Sequence, residues 1–142
     1  MSPRRPGWDV IAAVAAVAAG GAVGSALRYG VALIWPTTPG GFPWATLVTN
    51  LAGCFLIGVL MHLLDARTTH HRLIQPFVGT GLLGGFTTFS AYAVEGRSLL
   101  AAGRIALAAV YLAGTLLGAL VAVRIGVRAA RQLTPAPAGR ST

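Results

Sequence analysis

The stretch Gly79 to Glu95, GTGLLGGFTTFSAYAVE, decides how this chain is read. It lies inside a hydrophobic segment, yet it lacks the pattern of an uninterrupted membrane helix. Gly79, Gly81, Gly84 and Gly85 put four glycines in seven residues. Each costs up to ~1 kcal/mol against alanine in a soluble helix interior. That density implies a backbone that bends, breaks or is closely approached. Thr87, Thr88 and Ser90 place hydroxyls where a lipid-facing helix carries leucines. Phe86, Phe89 and Tyr92 recur every three residues, so their rings line one side if the helix resumes. In a bilayer a broken backbone must be buried in protein or line a wet cavity, because hydrocarbon cannot hydrogen-bond the freed carbonyls. An ion site is therefore the first expectation.

The rest of the chain supplies the membrane setting. Of 142 residues, 55% are hydrophobic and only 10% charged, whereas a soluble domain is about a quarter charged. A hydrocarbon core of ~30 Å needs about 20 residues per helix. Four spans are expected, at about residues 10–35, 44–64, 74–100 and 105–123. They form one transmembrane domain over residues 1–133, with a proline-rich, disordered tail at 134–142. Arg4 and Arg5 ahead of an alanine-rich run resemble a signal peptide, but the apolar run continues to Trp35 and is long enough to cross. The single cysteine, Cys54, excludes an internal disulfide and a cysteine-based zinc site. His62, His70 and His71 do not have the spacing of a metal site and read as interfacial.

Polar residues inside the spans are few and neutral. Gly20, Gly21 and Gly24 make a small-residue face in the first span, and Gly114 with Gly118 a close-packing pair in the fourth. Arg28 reads either as a cation snorkelling to headgroups or as one that draws anions to a vestibule. Asn50, four residues after Thr46, either bonds another helix or presents an amide to a pore. Tyr111 and Thr115 repeat that spacing in the fourth span. The nearest carboxylate is Glu95, at the end of the third span. Nothing here makes a nucleophile–base pair, a proton relay or a metal cluster, so an enzyme is not expected. Hydroxyls, an amide and the positive ring edges of Phe89 and Tyr92 suit an anion better than a cation.

Charge sets orientation. All eleven basic residues are arginines, and the formal net charge is +8. With four spans, Arg4, Arg5, Arg67, Arg72, Arg124, Arg128, Arg131 and Arg140 share one side, and Arg97 and Arg104 the other. Eight against two predicts both termini in the cytoplasm. Four helices barely enclose a hydrophilic path, so a dimer with the path at its interface is expected.

These motifs resemble the Fluc (CrcB) family of fluoride channels. The carriers are GGAVGSALRY at Gly20 to Tyr29, ATLVTNLAGCFLIG at Ala45 to Gly58, GLLGGFTTFSAYAVE at Gly81 to Glu95, and Tyr111 with Thr115. The resemblance covers all four spans in order. It implies an all-α membrane protein with a broken third helix, assembled as an antiparallel, dual-topology dimer in the cell membrane. It implies passive fluoride export that confers fluoride resistance, and a structural, untransported sodium ion (Na+) on the backbone carbonyls of Gly84 and Thr87. It assigns Asn50, Phe89 and Tyr92 to the fluoride pathway, with Thr46, Ser90, Tyr111 and Thr115 on or near its polar track. Arg28 and Glu95 fall at the vestibule. The sequence departs from the family's usual TTFSTF, reading TTFSAY with Ala91 and Tyr92. The arginine bias further suggests a subunit that inserts one way and pairs with an oppositely oriented paralogue. Two alternatives remain: a non-conducting partner subunit, and a small proton-coupled multidrug exporter, which normally needs a first-span carboxylate that Val10 to Trp35 lacks.

Overall fold

In a computed structural model that describes residues 6–66 and 72–133, the chain folds into four long apolar helices, the third bent and interrupted, with no strand among the described residues. Helix α1 spans Pro6–Ile34 and α2 spans Trp44–Asp65. The third span, Gln75–Ala101, is composite. It begins as a π-wound segment, Gln75–Leu83, with Pro76 in its first turn, where a missing N–H costs nothing. It continues as a single turn α3, Gly84–Phe86, breaks, and resumes as α4, Phe89–Ala101. Helix α5, Ile105–Leu133, closes the bundle. What the sequence leads one to expect of residues 1–5, 67–71 and 134–142, including Arg67 and the tail, lies outside the described residues.

Two helices run beyond the expected spans. Helix α1 starts at Pro6 rather than near Val10, and α5 runs ten residues past Val123, to Leu133. Arg124, Arg128 and Arg131 stop the hydrophobic pattern but not the helix. Arginine is a good helix former, and cations near a helix C-terminus oppose the negative end of its dipole.

The glycines of the opening stretch are not where the chain breaks. Thr87 (φ −80°, ψ 158°) and Thr88 (φ −149°, ψ 121°) are the extended residues, directly after the glycine run. Gly81 and Gly85 serve close approach instead. A methyl group on Gly81 would meet the Val17 carbonyl at 2.7 Å, and one on Gly85 would meet the Gly21 backbone. The face of Gly20, Gly21 and Gly24 in α1 thus lies directly on the third span. In α5 the expected Gly114–Gly118 pair divides within the subunit. Gly118 faces Leu51, but nothing lies within 4 Å of a methyl group built on Gly114. The tight α2–α5 approach is at Gly58 and Gly126, against the Val123 and Phe55 carbonyls.

Contacts at the two ends of the bundle fix the topology. Arg72 and Asp9 form an exposed ion pair, so the start of α1 and the start of the third span share one end. At the other end Trp35 and Trp44 stack across the first loop, and the Arg104 side chain lies beside Gly40. Both described termini therefore emerge at the Asp9 end. With four spans of this length and hydropathy, the chain is a multi-pass membrane protein.

Candidate functional site

The break is held from three sides. On α2, the Asn50 side chain pairs with both polar groups of one peptide residue. Its Nδ2 donates to the Thr88 carbonyl at 3.1 Å, and its Oδ1 accepts from the Thr88 N–H at 2.8 Å. Asn50 is only 8% exposed. An amide whose two ends match an extended peptide is the cheapest way to satisfy a broken backbone away from water. Of the two sequence readings for Asn50, the structure thus supplies the bond to another helix. It also puts Asn50 on a groove lining, described below. Gly53, one turn along α2, leaves the notch that receives the Thr87 methyl. On α4, Thr88 caps the new helix by accepting from the Ala91 N–H at 3.1 Å. On α1, Arg28 Nε and Ser25 Oγ both donate to the Gly85 carbonyl, at 3.3 and 3.5 Å. Arg28 is tied to the break, a role that neither of its sequence readings includes.

Beside the break lies a groove of about 370 Å³ lined by Asn50, Cys54, Thr87, Thr88, Phe89, Tyr92, Thr115, Leu116 and Ala119. Asn50, Phe89, Tyr92, Thr115 and Thr87, each singled out from sequence, meet here. Phe89 is 81% exposed, and its ring lies 5.6 Å from that of Tyr92. Tyr92 in turn lies 5.5 Å from Tyr111, which meets Phe42 edge-on. Phe86 is outside this run of rings, because the break rotates it away, and it packs near Gly53. Ser90 is exposed and shares a hydrogen bond with the Thr88 hydroxyl at 3.2 Å. The Thr115 and Thr87 hydroxyls donate to their own helices, at the Tyr111 and Leu83 carbonyls.

The remaining predicted residues gather one step away. Thr46 Oγ1 and the Tyr111 hydroxyl donate to the two carboxylate oxygens of Glu95, at 2.8 and 2.7 Å. Thr46 and Tyr111 are buried, Tyr111 completely. Glu95 also lines a smaller pocket of about 190 Å³ under the first loop, with Thr37, Thr38 and Ser98. The polar side chains therefore form two neighbouring clusters, joined by the Tyr92–Tyr111 ring contact. From sequence Thr88 counts among the hydroxyls of the third span but not among the assigned pathway residues. Its signal was present, a threonine immediately before a resuming helical run. Gly53 continues the Thr46–Asn50 face of the second span in the sequence, but only the fold brings Thr87 against it.

These features define a class: a four-span membrane protein whose third span is interrupted over a polar, ring-lined groove. More specifically, the chain belongs to the CrcB family. Its residues 15–127 match the family described as CrcB-like protein, Camphor Resistance (CrcB). It is 52% identical over 133 residues, 93% of this chain and 86% of the relative, to a protein of Streptomyces coelicolor named fluoride-specific ion channel FluC 1. It is 54% identical over 121 residues, 85% of this chain and 86% of the relative, to fluoride-specific ion channel FluC 2 of Nocardia farcinica. A fluoride-specific ion channel FluC of Paracoccus denitrificans is 46% identical over 117 residues.

Proposed function

We propose that this chain is a subunit of a fluoride-selective channel of the cell membrane that lets fluoride leave the cytoplasm passively, and that it is not an enzyme. The observation that carries this reading is the convergence of Asn50, Phe89, Tyr92 and Thr115 on one groove, in a chain whose relatives are named fluoride-specific channels. Among the described residues no carboxylate lines that groove. Ring edges and N–H groups replace part of an anion's hydration, and Asn50 Nδ2 carries a second N–H beyond the one given to Thr88. A negative cell interior drives an anion outward by ~2.3 kcal/mol per charge per 100 mV.

The groove is open on one side and Phe89 is largely bare. A second, oppositely oriented subunit would complete the path and cover that ring. The same assembly would bring two breaks together. Gly84 is exposed with open space around it, and the extended Thr87 turns its carbonyl out of the helical direction. Hard, neutral carbonyl oxygens suit an alkali cation, so these residues fit the structural sodium ion implied by the family. When bound, that ion supplies positive charge that holds the facing carbonyls together.

The decisive experiment is fluoride efflux from liposomes containing the purified chain, read with a fluoride electrode against chloride in parallel. Fluoride efflux without chloride efflux is expected, and equal efflux of both anions overturns the selectivity claim. A second reading is a non-conducting partner subunit. It is favoured by the arginine bias of eight against two, which opposes insertion in both orientations. A host lacking its own fluoride channel separates the two readings. Resistance restored by this chain alone rules out an obligatory partner.

A further inference from the structure

We propose that the side chains of Asn50 and Thr88 are positioning residues for the cation site. They draw away the two backbone amides that would otherwise close helical bonds onto the Gly84 and Thr87 carbonyls. The inference rests on the sodium reading above.

In a continuous α-helix each carbonyl accepts from the amide four residues on. For Gly84 that amide is the Thr88 N–H, and it donates instead to Asn50 Oδ1 at 2.8 Å. For Thr87 it is the Ala91 N–H, and it donates instead to Thr88 Oγ1 at 3.1 Å. Both diversions come from side chains, one on α2 and one at the break itself. A carbonyl relieved of its helical donor keeps both lone pairs for another partner. The Gly85 carbonyl, between the two, is treated differently. It accepts from Arg28 Nε and Ser25 Oγ, which occupies it with a fixed cation and a hydroxyl. The pattern thus selects which carbonyls are offered and which is withheld.

Asn50 also locks the arrangement. Its Nδ2 holds the Thr88 carbonyl at 3.1 Å, so the Thr88 N–H cannot swing back toward Gly84 without losing both bonds to Asn50. The Thr87 methyl seated at Gly53 gives α2 a second grip on the break. Because Asn50 and Thr88 also line the groove, the cation site and the anion groove share two residues. A change at one is felt at the other.

The test uses purified full-length protein with sodium titrated against N-methylglucamine at constant ionic strength. Two quantities are read: the thermal unfolding midpoint in detergent and the initial fluoride efflux rate from liposomes. For the unaltered chain, sodium raises the midpoint and stimulates efflux. Asn50→Ala and Thr88→Val each shift half-saturating sodium upward by about tenfold or more in both readouts, whatever the maximal flux. If the alanine variant does not fold, Thr88→Val decides alone. The inference is overturned if the unaltered chain responds to sodium and both variants titrate as it does, even with reduced flux. A chain with no sodium response removes the sodium reading itself, and the inference with it.

Discussion

The Tyr92 hydroxyl donates to the Leu112 carbonyl at 2.9 Å, so a ring that lines the groove is pinned at its far end to α5. This gives the departure from TTFSTF a physical meaning. The hydroxyl points to a helix backbone and is engaged there, while the ring lies beside Phe89.

Tyr92→Phe is expected to fold and to retain fluoride efflux within about threefold. It loses one hydrogen bond worth about 0.5–1.5 kcal/mol and no ring edge. Tyr92→Ala removes the ring as well and is expected to lower efflux by about tenfold or more. Efflux from liposomes checks both. A Tyr92→Phe variant as impaired as the alanine variant would mean that the hydroxyl serves the ion rather than the α5 backbone.

Glu95 and Tyr111 should be energetically coupled. The carboxylate accepts from two buried hydroxyls, those of Thr46 and Tyr111, and hydrogen bonds to a charged group are worth about 1.5–3 kcal/mol. Glu95→Gln and Tyr111→Phe should each destabilise. The double variant should lose less than the sum, with a coupling of about 1 kcal/mol or more by a double-mutant cycle in detergent unfolding. Additive losses would mean that the bond contributes nothing.

Two glycines should behave oppositely. Gly53→Ala drives a methyl group into the Thr87 side chain at the break, and such overpacking typically costs about 1–3 kcal/mol. Gly114→Ala meets nothing within 4 Å and should be neutral or slightly stabilising, since alanine is the better helix former by up to ~1 kcal/mol. Thermal midpoints of the two purified variants make the comparison. A costly Gly114→Ala would indicate that a second subunit lies against that face.

A cytoplasmic location of both termini is the expectation from the arginine bias. The Arg72–Asp9 pair puts the start of α1 and the start of the third span at one end of the bundle. Reporter fusions at either terminus should therefore be active in the cytoplasm. A terminal reporter active only outside the cell would reverse the assignment. The ion pair is exposed and contributes at most about 1 kcal/mol, so Arg72→Ala should leave the thermal midpoint nearly unchanged.

The amino-acid sequence by itself determined the four spans, the interruption of the third and most of the groove residues. These are local signals: apolar length, glycine density, and hydroxyls and rings at fixed spacing. It left open whether the glycine run marks a break or a close approach, because glycine density reports either. Only the packed α1 surface at Gly20, Gly21 and Gly24 tells these apart. The helix of the fourth span runs on past the expected span to Leu133, because charge marks the edge of an apolar run and not the end of a helix. What only the tertiary structure decided is where each hydrogen bond goes. Asn50 and Thr88 lie 38 residues apart. Nothing in either neighbourhood specifies that one amide will close both polar groups of the other's backbone. Likewise Thr46, Glu95 and Tyr111, on three different helices, become one cluster only when those helices pack. Periodicity records which face of a helix is apolar. Hydrogen bonds are directional and short, so their partners are set by helix placement to within a fraction of an ångström, which the linear pattern does not carry.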